Sequence, residues 1–178
     1  MKNFINYNVF PFMGKMKRRI SKGVVFPVLL MFFSFFGEAV AQCPTGDFTF
    51  STQQAIDDFE ATYSLCTDIT LGNVTIAGSD ITNLDGLSNV TSITGTLWIS
   101  ANAQLSNLDG LENLQTVHYL YIEQNHVLED ISGLSGLQSI GTNFIVYLNP
   151  QLTAISGLDN LTSVGADFHI DSNLALVN

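Results

Sequence analysis

An Ile or Val recurs at Ile76, Ile99, Ile122, Val146 and Ile170, at intervals of 23, 23, 24 and 24 residues. A fixed period of that length restricts the fold more than any other feature of the chain, because it means stacked copies of one structural unit. Further columns keep the same step. An apolar residue lies two positions earlier, at Val74, Leu97, Leu120, Phe144 and Phe168. Three positions later stand Ser79, Asn102, Asn125, Asn149 and Asn173. Leu or Ile then fills Ile81, Leu105, Leu128, Leu152 and Leu176, and again Leu84, Leu108, Ile131 and Ile155. A Gly-Leu pair follows at Gly86-Leu87, Gly110-Leu111, Gly133-Leu134 and Gly157-Leu158. Val90, Leu114, Leu137 and Leu161 precede a last column of Ile93, Val117, Ile140 and Val164.

Each column has a physical reading. The L-x-I positions alternate with polar residues, which predicts a short strand with one buried face. An Asn after each strand can bond backbone groups at the turn, and stacked copies would form a ladder. The remaining apolar positions fall every third residue, a spacing that suits tight turns or 3₁₀ segments rather than long helices. The Gly supplies a tight bend or a positive φ. No single repeat can bury its own stripe, so neighbours must stack into a solenoid with one parallel sheet along a side.

The charges divide the chain in two. All six Lys and Arg lie between Lys2 and Lys22, and none occurs from Gly23 to Asn178. Fifteen of the 16 Asp and Glu lie from Asp47 onward. The basic stretch is followed by the apolar run Val24–Phe36 and by Ala39-Val40-Ala41, the order of a secretory signal peptide with an A-x-A site. The run is shorter than the roughly 20 residues that span a bilayer, so cleavage after Ala41 is preferred to a membrane anchor. Met13 and Met16 offer alternative starts. The exported part would hold 15 acids and no Lys or Arg, which excludes nucleic acid and anionic membrane surfaces as partners. Both cysteines, Cys43 and Cys66, fall in it and read as one disulfide in an oxidising compartment.

The chain therefore divides into a leader (1–41), a disulfide-tied N-terminal cap (42–66) and repeats over 67–178 that are incomplete at the C-terminus. In the cap, Asp47 to Phe50 alternates as a strand. Ser51 and Gln54 suggest a capping box for a helix that buries Ala55, Ile56, Phe59 and Tyr63. Asp57, Asp58 and Glu60 fall in its first half, where the helix dipole favours acids. Such a helix would cover the open end of the sheet. The last repeat stops just after its Asn without a polar cap, which reads as a truncated gene or a fragment of a larger surface protein.

The segments VTIAGSDITNLDGLSNVTSITGTLWISAN, LENLQTV and LDNLTSVGADFHI, with the Cys43 to Cys66 segment around FTFSTQQAIDDFEATYSLC, resemble the receptor L-domain branch of the leucine-rich repeats. The resemblance runs from Cys43 to Asn178. It implies an α/β solenoid, a right-handed superhelix with one parallel sheet. It also implies a binding or scaffold role outside the cell, on proteins such as bacterial secreted surface proteins, hence a location at the cell envelope or beyond. It implies no catalytic residue.

Strand alternation identifies the outward face. Its middle column is Thr75, Trp98, Tyr121, Ile145 and His169. One flank is Asn73, Thr96, Tyr119, Asn143 and Asp167, and the other is Ala77, Ser100, Glu123, Tyr147 and Asp171. The only Trp and three of the five Tyr thus share a face. Trp98, Tyr119, Tyr121, Glu123, Ile145, Tyr147 and His169 are the expected ligand-binding residues, for a glycan or protein partner. Cross-strand stabilisation by aromatic residues is the bland alternative.

Other chemistries fare less well. A polysaccharide-active enzyme on a parallel β-solenoid could use Asp167, His169 and Asp171, but no Lys or Arg is there to stabilise an anion. No D-x-[DN]-x-[DN]-G loop supports a calcium site, and neither a metal nor a cofactor is expected. His118 and His126 read as turn residues. The sequons at Asn73, Asn89 and Asn160 read as repeat consensus rather than glycosylation sites. A secreted binding or scaffold module without chemistry of its own is the preferred reading.

Overall fold

The structure, a computed structural model, describes residues 42–177. The expected leader lies outside the described residues. Nine strands form one open sheet there, and every pairing is parallel. In chain order the elements are β1 (Phe48–Phe50), α1 (Gln53–Tyr63), β2 (Ile69–Leu71), β3 (Val74–Ile76), β4 (Val90–Ser100), β5 (Thr116–Glu123), β6 (Ser139–Ile140), β7 (Phe144–Tyr147), β8 (Ser163–Val164) and β9 (Phe168–Asp171). Two 3₁₀ turns, Asp85–Leu87 and Ser132–Leu134, carry Gly-Leu pairs.

The sheet contains two ladders. The first runs β1, β3, the C-terminal half of β4, the C-terminal half of β5, β7 and β9. Its register follows the repeat: Val74 faces Leu97, Leu97 faces Leu120, Leu120 faces Phe144, and Phe144 faces Phe168. The second runs β2, the N-terminal halves of β4 and β5, β6 and β8. It pairs Ile93 with Val117, Val117 with Ile140, and Ile140 with Val164. This corrects the reading of the last apolar columns as turns. Ile93, Val117 and Ile140 are β-branched residues buried to within 3% exposure, each beside an outward Ser or Thr, which suits a half-buried strand. β4 and β5 carry the chain through both ladders, with a register shift between Ile93 and Thr96.

The core is the repeat made solid. Leu97, Ile99, Leu105, Leu108, Leu114, Leu120, Ile122, Leu128, Ile131 and Leu134 are fully buried. Each such side chain contributes about 1.5–3 kcal/mol relative to exposure. Burial falls at the last repeat: Phe144 is at 0% exposure, whereas its ladder partner Phe168 is 51% exposed and Leu174 is 86% exposed.

The Gly column is explained by close approach rather than by a shared backbone conformation. Gly110 has φ +103°, but Gly133 does not lie in the positive-φ region. In both, a Cβ would collide with the backbone carbonyl of the preceding repeat, at Leu84 or Leu108. Gly157 shares the positive φ of Gly110, at +77°, and the non-glycine left-handed positions are Ala101, Gln124, Leu148 and Ser172, with φ between 54° and 58°. Each stands directly before an Asn of the ladder, where the chain must turn sharply out of the strand.

Asn102, Asn125 and Asn149 are fully buried. Asn125 shows the pattern. Its Nδ2 donates to the Ile99 carbonyl (3.0 Å) and to Asn149 Oδ1 (3.2 Å). Its Oδ1 accepts from the Asn102 backbone N–H (3.1 Å) and from Asn102 Nδ2 (3.0 Å). Asn173 accepts the bonds of Asn149 in the same way, at 2.9 and 3.2 Å. In the first repeat Gly78, not Ser79, supplies the N–H that Asn102 accepts, at 2.9 Å. Ser79 is exposed, because the turn there is one residue shorter and has no left-handed residue. Among the described residues no buried side-chain polar atom lacks a partner.

The N-terminal segment departs from expectation at the helix start. Extended backbone persists to Thr52 (φ −146°), so Thr52 is the N-cap and its hydroxyl accepts from Ala55 N–H at 3.2 Å. The Ser51–Gln54 capping box does not form, since Gln54 Nε2 turns forward to Asp58 at 2.9 Å. No acid lies in the first turn. Asp57 and Asp58 are held by i, i+4 bonds from Gln53 and Gln54 rather than by the dipole. Ile56 and Phe59 are buried, with Phe59 edge-on to Phe48 and Phe50 at 5.2 and 5.5 Å. Cys43 and Cys66 form a disulfide with Cα atoms 5.7 Å apart.

Candidate functional site

The first ladder sets the geometry of the outward face. Because its register steps by whole repeats, Thr75, Trp98, Tyr121, Ile145 and His169 fall in one row across β3, β4, β5, β7 and β9. Ser100, Glu123, Tyr147 and Asp171 form a second row, and Thr96 pairs with Tyr119 in a third. Neighbouring strands lie about 4.8 Å apart, so these side chains meet their counterparts on the next strand.

The candidate residues do not all come together. Trp98, Tyr121 and Glu123 line a shallow depression of about 230 Å³ with Thr96. Trp98 is 44% exposed, far above the inward residues on either side of it, Leu97 and Ile99. Its indole Nε1 donates to Glu123 Oε1 at 3.1 Å. Tyr119 stacks beside Tyr121, with ring centroids 6.4 Å apart and planes 17° off parallel. Tyr147 extends the row of Glu123 on the next strand. Ile145 interrupts the aromatic row, and His169 lies beyond it on β9, two strands from Tyr121. Asp167 and Asp171 are exposed around His169.

His118 corrects its expected place in a turn. It lies in β5, at the corner between the two ladders, with its ring edge-on to Tyr119 at 4.6 Å. His126 is exposed in the loop after β5. Two of the sequon Asn residues have structural partners. Asn73 Oδ1 accepts from Thr96 N–H at 2.9 Å, and Asn160 Nδ2 donates to the Ser135 carbonyl at 2.8 Å.

One recurrent element escapes a reading by hydrophobic columns. Asn83, Asn107 and Asp130 each accept from the backbone N–H two residues on, at 3.2, 3.1 and 2.9 Å. They fix the bend ahead of the Gly-Leu pair, and the repeated N-L-D-G-L at 83–87 and 107–111 carries the clue. Burial pushes the Asp130 carboxyl up, but hydrogen bonds from the Ser132 hydroxyl and N–H, the Ser156 hydroxyl and the Ile131 N–H outweigh it and hold it below the ordinary carboxylate value. Asp47 is also lowered, chiefly by the Asn73 backbone N–H at 2.7 Å.

Among the described residues no group of three or more His, Cys, Asp or Glu is placed to hold a metal ion. No helix there is long and apolar enough to cross a membrane. The face therefore offers aromatic rings, one hydrogen-bonded carboxylate and flanking hydroxyls.

No curated protein and no solved structure matches the chain. Residues 65–128, the stretch that contains Trp98, Tyr119, Tyr121 and Glu123, match the family model of the Receptor L domain.

Proposed function

We propose that this protein is an extracellular binding or scaffold module whose ligand, a protein or a glycan, docks on the aromatic face of the first ladder. One observation carries the reading. A half-exposed Trp and Tyr121 share a depression, with Tyr119 stacked beside Tyr121, on the part of the chain that matches the Receptor L domain model. Exposed aromatic surface of this kind costs solubility and suits a contact surface. In this reading the repeats form a right-handed solenoid, α1 caps its N-terminal end, and residues 1–41 direct export to the cell surface or beyond.

The module acts by binding alone. Asp167, His169 and Asp171 alternate on β9, yet no Lys or Arg lies within 23–178 to stabilise a developing negative charge. A glycan array and a panel of extracellular proteins, run with a polysaccharide-turnover assay, test the reading. Binding without turnover, lost in Trp98→Ala and Tyr121→Ala while the fold persists, is the expected result. Turnover would replace it with the enzyme reading. Ligand binding unaffected by either substitution would remove the aromatic face from the site.

A further inference from the structure

We propose that the depression at Trp98 and Glu123 receives a Lys or Arg side chain from a basic protein partner. The inference rests on the aromatic face being the binding face, and it names the chemistry of what binds there.

The charge balance of the chain supports it first. Residues 23–178 hold 15 Asp and Glu after position 46 and no Lys or Arg. Glu123, Asp167 and Asp171, which border the face, therefore have no Lys or Arg counter-ion from this stretch. A ligand that brings its own cation supplies what the fold leaves out. An anionic ligand would be repelled, and a neutral one would leave the carboxylate charge uncompensated.

The local geometry supports it independently. Glu123 stands at the wall of an aromatic depression, and its Oε1 accepts from the Trp98 indole at 3.1 Å. Among the described residues no donor reaches Oε2, so one carboxylate oxygen remains for a ligand N–H. Trp98 and Tyr121 present electron-rich rings in the same depression. A Lys ammonium or Arg guanidinium within about 6 Å of such a ring is attracted by its quadrupole, and more strongly where the site is partly dry. A carboxylate and aromatic rings on one wall thus serve the two demands of a long cationic side chain. The rings take its apolar stem and π-facing charge, and Glu123 takes its N–H. The wider negative surface would steer a basic partner toward this face and make association fall with salt.

Trp98 is the only Trp in the chain, so its fluorescence reports directly on the site. The probes are a short Lys-Gly repeat peptide, the same peptide with every Lys acetylated, and a neutral β-glucan oligosaccharide. The unmodified peptide should shift Trp98 emission and bind about tenfold more tightly than its acetylated form. Calorimetry on Glu123→Gln should show roughly a fivefold loss for the unmodified peptide and no change for the acetylated one. Peptide affinity equal in the wild type, Glu123→Gln and Trp98→Ala would mean diffuse attraction to an acidic surface and would overturn the inference. Oligosaccharide binding at Trp98 with no preference for the Lys peptide would also overturn it, while leaving the binding face in place. Silence of Trp98 toward all three probes would count against both.

Discussion

Trp98 and Glu123 sit diagonally on adjacent parallel strands, joined by a 3.1 Å bond from the indole Nε1 to the carboxylate. The bond orients the largest exposed ring of the face without contributing to the core. Glu123→Ala should leave stability within about 1 kcal/mol of the wild type, since the pair is solvent-accessible. It should nonetheless lower the fluorescence anisotropy of Trp98. Urea unfolding and time-resolved anisotropy check the two halves, and an unchanged anisotropy would show that packing rather than the bond holds the ring.

The Asn ladder carries much greater stakes. Asn125→Ala strands the buried Asn102 N–H, removes the Asn102 Nδ2 bond to Asn125 Oδ1 and takes one donor from the Ile99 carbonyl. The orphaned N–H costs about 1–3 kcal/mol and each lost hydrogen bond about 1 kcal/mol, so a loss of about 3–5 kcal/mol is expected in equilibrium unfolding. Asn173→Ala, at the half-buried end of the ladder, should cost clearly less.

Backbone conformation supplies a prediction of opposite sign. Ala101 is exposed and held at φ +54°. Replacing it by Gly removes the Cβ conflict of the left-handed region, and the gain should be about 1 kcal/mol after the entropy of the added flexibility. Gly133→Ala should destabilise instead, since its Cβ would meet the Leu108 carbonyl. Thermal melts of the two variants should move in opposite directions.

Asp130 links stability to pH. Its folded value lies below the ordinary carboxylate value, so its contribution is present above the unfolded pKa and is lost as pH falls through the folded pKa. Acidification through the carboxylate range should weaken the fold, and Asp130→Ala should show a smaller part of that loss. Chemical denaturation across pH 3–7 (roughly the window set by ordinary carboxylates) measures the difference. An identical pH slope in the variant would show that Asp130 contributes nothing to it.

Much of this architecture could be read from spacing. The apolar columns gave the inward residues of the first ladder, the two cysteines gave their pairing, and alternation put Trp98 beside Tyr121. The second ladder was not legible, because Ser92-Ile93 and Thr116-Val117 follow other apolar residues at steps of three and imitate a turn. Ser79 looked like the first member of the Asn column, but a shorter turn hands the role to Gly78. The left-handed positions leave no mark in residue type, since Ala101, Gln124, Leu148 and Ser172 share no side-chain chemistry. The turn geometry imposes that conformation, and the buried Asn that follows holds it in place.

The Asn ladder also determines how the molecule comes apart. Each amide is bonded to the repeat before it and the repeat after it, and to nothing farther along the stack. Loss of order then spreads between neighbouring repeats only. With Phe168 half-exposed where Phe144 is sealed, β9 should exchange its amide protons before β7. Trp98 and Tyr121 lie on β4 and β5, separated from β9 by β7. The face can therefore stay assembled through many openings of the last strand, with β7 and β9 acting as a buffer for it.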